Sequence, residues 1–505
     1  MDKMLDLSQT PYSQIAPIDA IHVCSETNLG WRASMTRELW NLGAIETASQ
    51  IASGTVSASD VIEAHLARLD LLNPVLNAIT RPLHKTAREA AKQADLAVAR
   101  GSEIGPLHGV PVTIKDNVDI AGQSSPNGLK VLDDIIAESN SPVVDNLLAA
   151  GAIPIGRTNT PEFSLRLHTE NPLFGATINP WDPERTPGGS SGGASASLAA
   201  GIGCLAHGND LGGSLRQPAY CTGLCTIRPT QGRIPAFNPT AKSERPPAIL
   251  QMSTQGPIAR SVADTRLGLS VMAKRDIRDP WWVPAPIDGP GPKTPMHVAL
   301  VRTPPGTPMD ACVTDALDRA GQFLSDAGYV VEDLHPPEIE RCAEVWAGLL
   351  MTETRMLMTE TIRELGSESI NRSLGFFDQM TPEYDLQGYL ALMSERTRLL
   401  RVWLAFLEDV PLIVGPVSNI APFRPNEDIS TQDKAERIFY AHRLLVTINL
   451  LGLPSAVVPT GLQDGLPSGV QIIATRYRED LALNAAQAVE DRVGQLTPIN
   501  PGSGK

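Results

Sequence analysis

GGSSGG at residues 188–193 and DLGGSLR at residues 210–216 decide the reading of this chain, together with Lys115 in the upstream run IKDN at 114–117. Serine hydroxyls are weak nucleophiles at their free pKa, so two serines in glycine-rich loops become chemical only beside a base. Neither segment contains a histidine, and Lys115 is the candidate base. Free lysine has a pKa of about 10.4, so a lysine base must be buried among apolar neighbours such as Val112 and Ile114 to stay neutral near pH 7. Glycines beside the serines let backbone approach a substrate closely. Taken singly, each part reads as a flexible turn, a small-residue helix or a surface lysine. Their ordered conjunction reads as a serine hydrolase that works without a catalytic histidine.

Competing motifs are weaker. Residues 189–193 also satisfy G-x-S-x-G, which makes Ser191 the nucleophile of a strand-turn-helix elbow. That elbow must follow a strand directly, whereas residues 179–187 are proline-rich and charged and read as a loop. Residues 201–206 fit a loose G-x-G-x-x-A dinucleotide pattern, but they read as the continuation of an alanine-rich helix. Cys204, His207, Cys221 and Cys225 have zinc-like spacing. Small thiols packed beneath a nucleophile loop explain the same residues without a metal.

Six blocks carry a resemblance that spans most of the chain: GPLHGVPVTIKDN at 105–117, GRTNTPEF at 156–163, NPWDPERTPGGSSGG at 179–193, and the stretches 208–216, 452–459 and 465–473. In this order they resemble the amidase signature family, whose hydrolases use a Ser-cisSer-Lys triad. The resemblance implies that Ser214 is the acylated nucleophile, Ser190 the bridging serine on a cis peptide, and Lys115 the terminal base. It gives the backbone N–H groups of Leu211, Gly212, Gly213 and Ser214 to the oxyanion hole, with Ser191 and Asp210 in support. The implied fold is α/β, a large mixed β-sheet core flanked by helices on both sides. No cofactor or metal is implied. The implied partner is a small-molecule amide, ester or carbamate, and the implied assembly is a homodimer.

Composition frames this. The chain has 505 residues, 42% hydrophobic and 19% charged, as expected of a globular protein. A net charge of −14 disfavours nonspecific attraction to nucleic acid. Six cysteines in so long a chain form no disulfide framework and fit a reducing cytoplasm. Residues 1–36 hold scattered charges and prolines without a continuous apolar run, and read as an N-terminal arm, followed by a catalytic domain over 37–496 and a flexible tail over 497–505. The apolar stretch 444–458 is interrupted by Asn449, Gly452 and Pro454, too short for the about 20 residues of a membrane span.

Ser57 and Asp60 form a capping box opening a helix with Ile62, Leu66 and Leu69 on one face. Residues 109–114, 152–155, 298–301, 329–332, 412–414, 455–458 and 469–473 read as strands, and 143–150 and 310–327 as helices. The proline-dense run 279–295 reads as a long surface loop within one sheet-forming unit.

Substrate choice falls to the second half. A helical segment over 338–372 carries Trp346, Leu349, Leu350, Met351, Met356 and Met358, and Phe376, Phe377, Met380, Tyr384, Tyr389 and Met393 follow. Some are core; others are expected to line an apolar pocket for an aryl or alkyl acyl group. Two functional classes stand: a free-standing amidohydrolase, with ester, anilide or carbamate hydrolysis open to the same triad, and the glutaminase subunit of a tRNA-dependent amidotransferase. The apolar Leu211, the N-terminal arm and the apolar middle segment favour the first.

Overall fold

Along the central strands, successive side chains go to opposite layers, which is what a sheet covered on both faces requires. On the strand His297–Leu300, Val298 and Leu300 join one buried cluster while Ala299 joins another. On Leu412–Pro416, Leu412 and Val414 face the first cluster and Ile413 the second. The first layer is covered by the helices Ala311–Asp326 and Glu479–Val493, the second by Ile339–Leu357, Leu386–Asp409 and Arg443–Leu451.

The computed structural model describes residues 39–292 and 294–501. The expected N-terminal arm and Cys24 lie outside the described residues. In chain order the strands are β1 (Ile79–Pro82), β2 (Pro111–Lys115), β3 (Ile153–Thr158), β4 (Glu170–Asn171), β5 (Gly175–Ala176), β6 (Leu205–Asp210), β7 (Cys225–Arg228), β8 (Thr254–Ala259), β9 (His297–Leu300), β10 (Val330–Asp333), β11 (Leu412–Pro416), β12 (Ser455–Gln463) and β13 (Leu466–Ala474). Among the described residues, all but β4 and β5 form one 11-stranded sheet in the order β1-β3-β2-β6-β8-β7-β12-β13-β11-β9-β10. It is mixed: β3, β2 and β6 run parallel, as do β11, β9 and β10, and the strands between are antiparallel. The strands on either side of the proline-dense loop, β8 and β9, belong to this one sheet. Arg233 Nη1 donates to the Ala285 and Pro286 carbonyls and pins that loop down.

Of the expected capping box, the N-cap half forms. Ser57 Oγ accepts the Asp60 N–H at 2.9 Å and donates to Asp60 Oδ2 at 2.7 Å, opening the helix Ala58–Leu76. The expected strands and helices of the second half appear, including the parallel pair β9 and β10 joined by Ala311–Asp326. One expectation is corrected. Residues 201–206 do not continue the alanine-rich helix, which ends at Ala199; Gly201 and Gly203 turn the chain at φ +83° and +85°, and β6 begins at Leu205. Glycine adopts this left-handed backbone without a Cβ penalty, so two of them in three residues stop a helix. Ile499 N–H donates to the Ala199 carbonyl, and Arg68 Nη2 to the Ile499 carbonyl.

Candidate active site

Because β2 and β6 are parallel neighbours, their last residues reach the same edge of the sheet, Lys115 from one and Asn209 and Asp210 from the other. Carboxyl ends of parallel strands are where open α/β sheets place their ligands. Lys115 is fully buried. Its Nζ lies 2.8 Å from Ser190 Oγ, 3.1 Å from Ser191 Oγ and 2.8 Å from Asn209 Oδ1. Burial pushes the Lys115 pKa down to about 7, against the pull of Asp210. A neutral amine has two N–H donors and one lone pair. Asn209 Oδ1 has no proton to give and must accept, which leaves the lone pair free to take the Ser190 hydroxyl proton while Ser191 Oγ accepts the second N–H.

The serine loop is fixed from both sides. The Gly189–Ser190 peptide bond is cis. Gly189 N–H donates to Gln217 Oε1 at 2.8 Å, tying this loop to the helix Arg216–Thr222 that follows Ser214. The helix Gly192–Ala199 starts directly after Ser191, and a Cβ on Gly193 would sit 2.4 Å from the Asn159 nitrogen, so only glycine lets the loop seat there.

Ser214 stands at the other end of the constellation, 8% exposed. Among the described residues no hydrogen bond joins Ser190 Oγ to Ser214 Oγ. The loop before Ser214 wraps around the Asp210 carboxylate, which accepts the Gly213 N–H at 2.8 Å, the Leu215 N–H at 3.2 Å and two guanidinium N–H groups of Arg216. Burial works against this carboxylate, but Arg216, then Arg228 and the Asn449 amide, more than offset it and hold Asp210 well below the ordinary carboxylate range. Since the Gly213 N–H is committed to Asp210, the N–H groups of Leu211, Gly212 and Ser214 are the ones without an acceptor among the described residues. Unpaired N–H groups are what an oxyanion needs.

The family model described as Amidase matches residues 60–483. The chain belongs to the amidase signature family. It is a hydrolase of amide C–N bonds. It is 48% identical to an indoleacetamide hydrolase of Bradyrhizobium diazoefficiens, over 91% of this chain and 88% of that one. It is 31% identical to a glutamyl-tRNA(Gln) amidotransferase subunit of Carboxydothermus hydrogenoformans, covering 90% of this chain and 97% of that one. Among solved structures it resembles a bacterial aryl acylamidase of the amidase signature family, with a TM-score of 0.76 at 26% identity over 91% of this chain and 96% of that one.

In this amidase an apolar cavity opens on Leu211, Gly212 and Ser214 and encloses about 1050 Å³ of empty space, part of it continuous with solvent. Of the apolar residues singled out in the sequence, Trp346, Leu350, Met351, Phe376, Phe377 and Met380 line it. Leu349 is core, Tyr384, Tyr389 and Met393 pack against the same core cluster, and Met356 is exposed. Trp346 stacks on Phe439 with ring centroids 6.2 Å apart and meets Phe377 at 5.8 Å. Its Nε1–H donates to the Leu211 carbonyl at 3.1 Å, so the aromatic wall also steadies the loop that carries the unpaired N–H groups.

The sequence assigns no role to several neighbours of the site, although Asn117 and Asn209 lie within the blocks 105–117 and 208–216. Asn209 and Asn117 exchange side-chain hydrogen bonds at 2.9 and 3.3 Å beneath Lys115, and Asn117 Nδ2 reaches Ser164 Oγ at 2.9 Å. On the far wall Arg166 forms a bidentate ion pair with Asp428. The residues of zinc-like spacing each have separate surroundings. Cys204 lies against His65 and the Leu42 carbonyl, His207 against Gln255, Cys225 against Glu490, and Cys221 within an apolar cluster. No helix among the described residues is long and apolar enough to cross a membrane.

Proposed function

We propose that this amidase hydrolyses an arylacetamide of the indole-3-acetamide class, releasing ammonia and the arylacetic acid through an acyl-enzyme on Ser214. The observation that carries this reading is the cavity itself: an aromatic wall of Trp346, Phe377 and Phe439 opening directly onto Ser214 and the unpaired N–H groups beside it. The 48% identical indoleacetamide hydrolase supports the choice of acyl group.

In the reaction, neutral Lys115 takes the proton of Ser190, Ser190 takes that of Ser214, and Ser214 Oγ attacks the amide carbon. The Ser190 to Ser214 leg closes with substrate in place, as catalytic hydrogen bonds commonly tighten only in the complex. Negative charge on the carbonyl oxygen is met by the N–H groups of Leu211, Gly212 and Ser214, while Gly213 shapes the turn through its bond to Asp210. The C–N bond then breaks and the proton held on Lys115 returns through Ser190 to the departing nitrogen. Water, deprotonated along the same path, cleaves the ester and restores Ser214. Esters and anilides with the same acyl group enter this route. The described thiols Cys204, Cys221, Cys225, Cys312 and Cys342 are all free, which suits a reducing cytoplasm.

The test is an ammonia-release assay of the purified chain alone on indole-3-acetamide, phenylacetamide and glutamine. Hydrolysis of the two arylacetamides supports the reading. No release from either arylacetamide, with glutamine hydrolysis gained on adding amidotransferase partner subunits in a second assay, would replace it with the amidotransferase role of the 31% identical relative.

A further inference from the structure

His442 lies in the cavity wall between Ile438 and Val446, at the junction of the helices Gln432–Ala441 and Arg443–Leu451. It is 2% exposed. Its Nδ1 stands 2.6 Å from the Ile438 carbonyl. A carbonyl oxygen can only accept, so Nδ1 carries the proton, and in a neutral ring Nε2 is then an acceptor. Burial pushes the His442 pKa down to about 4, against the bond to Ile438, so the ring is neutral at physiological pH. Nε2 is buried and has no hydrogen-bond partner among the described residues. Buried acceptors are normally satisfied, and an unsatisfied one in a binding cavity points to a donor on the ligand.

The charged acceptor of the wall, Asp428, and the Ser164 hydroxyl are already engaged. Ser164 Oγ donates to Asn127 Oδ1 at 2.6 Å and accepts from Asn117, and Arg166 Nε and Nη2 donate to the Asp428 carboxylate, while Arg166 Nη1, a donor, is buried without a hydrogen-bond partner among the described residues. His442 thus carries an unpaired acceptor on a residue that lines the cavity together with the apolar Trp346, Leu350, Phe377 and Phe439.

We infer that His442 Nε2 accepts a hydrogen bond from an N–H on the aromatic acyl group of the substrate, and so selects a heteroaryl acetamide with a ring N–H, such as indole, over carbocyclic or sulfur-containing rings of the same shape. This rests on the arylacetamide reading above and adds to it the residue that distinguishes among arylacetamides.

The experiment compares kcat/KM for indole-3-acetamide and benzothiophene-3-acetamide, which match in shape and differ in the ring donor. In the wild-type enzyme the indole substrate is expected to be favoured about ten- to a hundredfold, the range for one buried hydrogen bond left unmade. His442→Phe should collapse that ratio toward unity by slowing the indole substrate while leaving benzothiophene-3-acetamide turnover largely intact, and His442→Gln, which keeps an acceptor, should retain part of it. Equal wild-type turnover of the two amides would overturn the inference without any variant, and leave the arylacetamide reading standing. An equal loss on both substrates in His442→Phe would show a merely structural role and overturn it too. Failure of the wild type to hydrolyse either amide would overturn both readings.

Discussion

Lys115 Nζ donates to the neutral amide oxygen of Asn209 over 2.8 Å, where a carboxylate in the same place would hold the amine as ammonium. With no carboxylate in direct contact, burial prevails over the more distant pull of Asp210 and the Lys115 pKa falls to about 7. An amide at 209 thus leaves Lys115 free to be neutral, as the proposed base must be.

Asn209→Asp tests this. A carboxylate at hydrogen-bond distance favours the ammonium form, so the Lys115 pKa rises and the acid limb of kcat/KM moves to higher pH. Each unit of upward shift lowers activity below the limb by about tenfold. A pH profile of Asn209→Asp superimposable on the wild type would show that Lys115 is not the titrating base.

In the wild type, Lys115 is protonated below its pKa of about 7 and cannot accept the Ser190 proton. Activity should fall as pH drops through that value and level off above it. Lys115→Ala should lose the limb along with about 10²- to 10⁴-fold of the rate, the usual worth of general-base catalysis. Lys115→Arg should not restore it, because guanidinium stays protonated. Robust activity of Lys115→Arg in a steady-state assay would move the base elsewhere, to His168 or His207.

Gly213→Ala should abolish activity and lower the melting temperature. Gly213 has φ +102°, and an added Cβ would meet Leu445 Cδ2 at 2.2 Å. Left-handed backbone and a side-chain overlap act together there, so the expected loss is about 2 kcal/mol or more. A Gly213→Ala protein with wild-type melting and turnover would show the loop to be far softer than its packing implies.

Trp346→Phe keeps an aromatic wall but removes the Nε1–H bond to the Leu211 carbonyl. Its expected signature is a fall in kcat of about tenfold, one hydrogen bond's worth, with KM little changed. Trp346→Ala should also raise KM for arylacetamides. A Trp346→Phe effect confined to KM would assign the residue to packing alone.

Much of this site can be read in the sequence because its chemistry is local. Glycines sit where backbone must pass within van der Waals contact of other backbone, as at Gly193, and such positions leave a mark in any one sequence. The strands β6, β7 and β8 are less legible. They are short, contain Gly208, Gly256 and Pro257, and are held by neighbours on both sides more than by their own propensity. His442 is an ordinary residue in sequence, and Asn209, although inside the 208–216 block, is not marked there as a partner of Lys115. Their significance comes from what the fold brings to them, an amine from β2 in one case and an apolar cavity in the other.

The most direct test of the central claim is peptide mass spectrometry of the enzyme after acid quench from an activated indole-3-acetyl ester, read with wild type, Ser214→Ala and Ser191→Ala in parallel. An indole-3-acetyl group is expected on the peptide containing Ser214, absent from Ser214→Ala and retained in Ser191→Ala. An acyl group found on Ser191 or Ser190 in the wild type, or retained elsewhere in Ser214→Ala, would contradict it.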